Sequence, residues 1–118
     1  AGYNDLAWVY FKQGDFASME YSARQGLEYS KMNPWLLNAL GLAVFNQSRA
    51  EEAKSYFASS ILRFEQIGKS GWGKAYPGNN PNDYLNGFET TLDVVRKNLL
   101  KVSSGSNDLN SVDNPSSE

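Results

Sequence analysis

The chain has 118 residues, 41% hydrophobic and 14% aromatic, with 11 Lys/Arg against 13 Asp/Glu and neither histidine nor cysteine. That length builds one domain around one core, and the missing residue types exclude disulfides, thiol nucleophiles, ordinary zinc sites and the commonest general base at neutral pH. Asp108, Asp113 and Glu118 lie near the C-terminus, so residues 1–102 hold 11 basic against 10 acidic residues, far from the clustered cations that nucleic acid requires.

Helical spacing of Tyr3, Leu6 and Tyr10 predicts a first helix from about Ala1 to Gln13, with Leu6, Val9 and Tyr10 on its buried side and Gly14-Asp15 as the turn. Phe16, Met19, Ala23, Leu27 and Ser30 mark a second helix. Asn33 followed by Pro34 is a start signal, an N-cap with proline at the first helical position, for a third helix running to about Gln47. Ser48-Arg49 closes it. The fourth helix, Ala50 to Ile67, carries Ala53, Phe57, Ile61, Phe64 and Ile67 on one stripe.

Residues 68–81 are rich in Gly, Asn and Pro and read as a loop, longer than the usual 2–8 residues between helices. Trp72 and Tyr76 within it either pin the loop to nearby helices or contact a ligand. A fifth helix over 82–102 repeats Leu85, Phe88, Leu92, Val95, Leu99 and Val102 at steps of three and four, a seam suited to one neighbour. Residues 103–118 are poor in apolar side chains and read as a disordered tail.

The first four helices repeat. A shift of 34 residues lays Leu6 on Leu40, Ala7 on Gly41, Tyr10 on Val44, Phe11 on Phe45, Gln13 on Gln47, Gly14 on Ser48 and Leu27 on Ile61. Large falls on large and small on small, the signature of a helical array. In the second unit Leu37, Leu40, Gly41, Val44, Ser48, Ala53, Phe57, Ser60 and Ile61 give a pattern that resembles the tetratricopeptide repeat family. The first unit matches it through Tyr3, Leu6, Ala7, Tyr10, Gly14, Asp15 and Phe16, then departs at Met19, Ala23 and Gly26. Pro34 also falls about two residues later than the family's inter-repeat proline.

The resemblance implies an all-α fold of the α-solenoid type: two antiparallel helix pairs, about 3–33 and 34–67, closed by the helix at 82–102, which covers the last pair or pairs with another chain. In such arrays the first helix of each pair lines a groove. The groove positions transfer to Asn4, Trp8, Phe11 and Lys12 in the first unit, and to Asn38, Leu42, Phe45 and Asn46 in the second. Asn4 and Asn38 stand 34 apart, as do Phe11 and Phe45, so a ladder of amides would run beside a ladder of rings. Amides can pair with a ligand's backbone while rings take its apolar side chains. The same residues at helical spacing also suit a filled core. Members that clamp a C-terminal carboxylate need cations that the matching Asn4, Trp8 and Ala39 do not supply.

The expected function is a protein-interaction scaffold that binds a partner peptide or helix, with homo-oligomerisation as the alternative. Glu51, Glu52, Glu65, Glu89 and Asp93 sit singly or adjacent on exposed faces and read as solvated surface charge rather than as an acid/base pair. No catalytic residue, metal or cofactor is expected. No segment approaches the roughly 18–20 apolar residues of a membrane span, so the chain reads as soluble and, by default, cytoplasmic.

Overall fold

The structure, a computed structural model, describes residues 3–69 and 81–105, giving for Asn4, Gly68, Lys69 and residues 81–88 the helical backbone alone. It is all-α. The helices are α1 (Tyr3–Gln13), α2 (Phe16–Tyr29), α3 (Pro34–Phe45), α4 (Ala50–Lys69) and α5 (Pro81–Ser103), and no strand occurs among the described residues. None of these helices is long and apolar enough to cross a membrane.

Two turns explain why the first four helices form pairs. After α1, Gly14 takes φ 74°, its N–H donates to Phe11 O at 3.0 Å, and Asp15 N–H donates to Tyr10 O at 3.0 Å. After α3, Ser48 takes φ 66°, its N–H donates to Phe45 O at 3.0 Å, and Arg49 N–H donates to Val44 O at 3.0 Å. Both are the six-to-one helix ending that needs a left-handed residue, and they recur at the 34-residue shift. This bond set ends α3 at Phe45, two residues before the expected Gln47. Serine in the left-handed region carries a steric cost that glycine escapes. Ser48→Gly is therefore expected to raise the free energy of unfolding by about 0.5–1 kcal/mol, read from urea unfolding curves.

The starts of α2, α3 and α4 are as the sequence predicts. Asp15 caps α2, its carboxylate accepting from Ser18 N–H at 3.1 Å. Asn33 Oδ1 accepts from the N–H groups of Trp35 and Leu36 at 2.9 and 3.1 Å, with Pro34 opening α3. Ser60 on α4 donates its hydroxyl hydrogen bond to Pro34 O at 2.7 Å, tying the start of α3 to the middle of α4.

Each helix packs on the next in chain order, and α1 also touches α3. Two glycines sit at close helix contacts. A Cβ on Gly41 would lie 2.6 Å from the Phe57 ring, and one on Gly26 would lie 2.6 Å from Tyr3 Cβ and 2.8 Å from Leu36 Cδ1. The central α3 is buried from Leu36 through Val44. On α5, Leu92, Val95 and Val102 are buried with Thr91 and Asn98, and Leu99 packs against the core from the edge. The side chains of Leu85 and Phe88 lie outside the described residues.

Other boundaries and one face differ from expectation. Helix α4 continues past Ile67 to Lys69, and α5 starts at Pro81 rather than at Asn82 or Asp83 and takes in Ser103, expected in the tail. The buried side of α1 is Ala7 and Trp8; Leu6 and Val9 are exposed and Tyr10 is half-buried. Among the described helices α1 packs on α2 and α3, and Leu6 and Val9 remain exposed.

Candidate functional site

The expected groove residues lie on α1 and α3, which touch. On α1, the Trp8 ring is buried and meets Phe11 edge-on, with centroids 5.2 Å apart. Phe11 in turn meets Phe16 of α2 edge-on at 6.1 Å, so this ladder also ties the two helices of the first pair together. Lys12 is exposed, and the side chain of Asn4 lies outside the described residues.

On α3, Leu42 is buried and Phe45 half-buried against the core. Exposed Asn46 turns its Nδ2 back to donate to Leu42 O at 2.8 Å, a carbonyl that also accepts from the Asn46 backbone N–H at 3.1 Å. Asn38 is different. It is 1% exposed, and neither Oδ1 nor Nδ2 has a hydrogen-bond partner among the described residues. Phe11 and Phe45 are each half-exposed, while Trp8, Asn38 and Leu42 are closed off from solvent. Trp72 and Tyr76 lie outside the described residues.

A second polar cluster was not anticipated. Arg49, just ahead of α4, reaches Glu20 of α2 with Nη1···Oε1 at 2.7 Å and Nη2···Oε2 at 3.0 Å, and its Nη2 also donates to Glu52 Oε2 at 2.6 Å. Arg24 bridges the same carboxylates, at 2.7 Å to Glu20 and 3.1 Å to Glu52. Gln47 Nε2 lies 2.9 Å from Glu20 Oε1, 3.2 Å from Phe16 O and 3.1 Å from Ala43 O. Glu52, expected as solvated charge, is thus half of an interhelical clamp. Glu20–Arg24 and Arg49–Glu52 are visible in sequence as helical spacings, but Glu20 and Arg49 are 29 positions apart and meet only once α2 and α4 flank α3.

The clamp is structural chemistry, not acid/base chemistry. The Arg49 guanidinium holds the Glu20 carboxyl at about 2, below the ordinary 4.5, against the opposing effect of burial and with help from Arg24 and Gln47. Arg49 likewise lowers Glu52. Neither carboxyl can carry a proton near neutrality. Because the folded form favours ionised Glu20, its stabilising contribution is complete above about pH 4.5 and disappears as the pH falls toward 2. Glu20→Gln is expected to cost on the order of 1–2 kcal/mol at pH 7 and to flatten the acid limb of a plot of urea midpoint against pH. An unchanged acid limb in the variant would assign the acid sensitivity elsewhere.

Among the described residues no group of three or more His, Cys, Asp or Glu could hold a metal ion. Comparison with protein-family models, with curated proteins and with solved structures finds no match for this chain.

Proposed function

We propose that this chain is a protein-interaction module built of two tetratricopeptide-like helix pairs, with α5 as the closing helix, and that it binds a partner peptide or helix along the face shared by α1 and α3. The observation that carries the reading is the Asn38 amide. A buried polar group without a partner costs about 1–3 kcal/mol, and folded proteins hold few of them. An amide offers one acceptor and a donor group, the complement of a single backbone unit of a bound segment. Phe11 and Phe45, each half-exposed and 34 residues apart, supply apolar contacts on either side in sequence. Since Asn38 is closed from solvent, engagement requires local opening, so binding and opening are coupled.

The test is site-specific photocrosslinking in cells, with benzoylphenylalanine placed at Phe11, at Phe45, or at exposed Ser55 on α4 as the control. Adducts of one common mass from positions 11 and 45, absent from position 55, support the assignment. Equal adducts from all three positions would defeat it. Adducts with the mass of the chain itself would replace a foreign partner by self-assembly.

A further inference from the structure

The sequence suggests a leucine-rich seam for α5, but the helix buries a different line. Of its described side chains the most buried are Thr91, Val95, Asn98 and Val102, at 1%, 0%, 0% and 4% exposure. They recur at steps of four, three and four, which is one face of a helix. Leu99 is half-buried beside that line and Leu100 is 70% exposed. Two of the four central positions are thus polar, and a polar residue in a helix seam fixes register at a cost in stability. The remaining hold on α5 is slight. It packs principally on α4, and Arg96 meets Glu65 of that helix at 2.9 Å with both side chains nearly half-exposed, the kind of ion pair that contributes little. Helix α3, by contrast, is covered by α1, α2 and α4.

We propose that the face of α4 beneath α5 is an exchangeable helix-docking site, and that its occupant in trans is an amphipathic helix of another protein with apolar residues at the two places where α5 carries Thr91 and Asn98. The α5 of a second copy is not that occupant. It brings the same two polar residues, while the helix already in place belongs to the same chain and competes at an effective concentration on the order of millimolar. Only a helix with a more apolar centre displaces it. Release of α5 leaves the first four helices paired, because the three helices that cover α3 stay in place. The site is separate from the Asn38 face, and either assignment can fail without the other.

The probes are synthetic peptides of residues 81–104, one of the parent sequence, one with Thr91→Val and one with both Thr91→Val and Asn98→Leu. Each is added to the intact, isotope-labelled chain, and hydrogen exchange along the chain's own α5 reads displacement. Its amides should lose protection while those of α2, α3 and α4 keep theirs. The doubly substituted peptide is expected to displace α5 at a concentration about tenfold or more below that of the parent peptide, with the Thr91→Val peptide between them. A chain carrying Glu65→Cys and Arg96→Cys, joined by a bifunctional maleimide in a protein with no other cysteine, should bind none of the three. Substituted peptides that displace α5 no better than the parent overturn the proposal. So does binding that persists in the crosslinked chain or leaves the protection of α5 unchanged. Light scattering that shows a doubled mass for the chain alone, abolished by the crosslink, would give the site to a second copy's helix and equally overturn it.

Discussion

Phe57→Ala is expected to lower the free energy of unfolding by about 3–5 kcal/mol, the range for emptying a fully buried aromatic site, which is a large part of the stability of a domain this size. The ring is 0% exposed and lies against Gly41, so close that a Cβ there would sit 2.6 Å from it. Gly41→Ala is expected to destabilise by about 1–3 kcal/mol, since its Cβ would sit 2.6 Å from Phe57 Cε1 and a ring edge held by the core cannot yield. The two effects must not add. With the ring removed, the three closest contacts of that Cβ, all atoms of Phe57, are gone and the alanine gains roughly 1 kcal/mol of helix propensity over glycine, so Gly41→Ala should change sign in the Phe57→Ala background. Urea unfolding of the four proteins measures this coupling. Additive costs would mean that the close approach at Gly41 is not what holds α3 against α4.

Replacing Asn38 should make the protein more stable and a poorer binder. Asn38→Leu exchanges two buried polar atoms that lack partners for two methyl groups, and a gain of about 1–2 kcal/mol is expected from relief of the desolvation penalty. Asn38→Val removes the amide without leucine's extra reach, which separates a packing clash from loss of a needed hydrogen bond. Both variants should lose the crosslinked partner from positions 11 and 45 while their unfolding midpoints hold or rise. If both unfold more easily than the parent, the amide is serving the fold and its assignment to a partner fails.

Much of the architecture can be read from local chemistry. Asn33-Pro34 announces α3 because capping depends on adjacent residues, and Gly14 with Ser48 marks both pair turns because the left-handed conformation restricts side chains. The close approach at Gly41 falls where the 34-residue shift sets small on small, Ala7 on Gly41, whereas Gly26 stands out in the sequence only as a departure from the repeat pattern. The exposed side of α1 is not legible in this way. Leu6 and Val9 have the same apolar character as Leu40 and Ala43, and only the presence or absence of a neighbouring helix separates them. The Glu20–Arg49 clamp is hidden for a related reason, being a contact between distant positions with no periodic signature. At the candidate site, spacing places Asn38 and Phe45 on the first helix of the second pair, but whether an amide finds a partner depends on every surrounding atom.

The burial of α3 from Leu36 through Val44 also sets how the molecule comes apart. A helix this apolar, covered by α1, α2 and α4, cannot persist alone in water, so losing any covering helix exposes the middle of the fold and the structure should unfold as one cooperative unit. Amide hydrogen exchange should therefore be slowest along α3, approaching the rate set by global unfolding, and fastest at the outer ends of α1 and α5, which have fewer neighbours to lose.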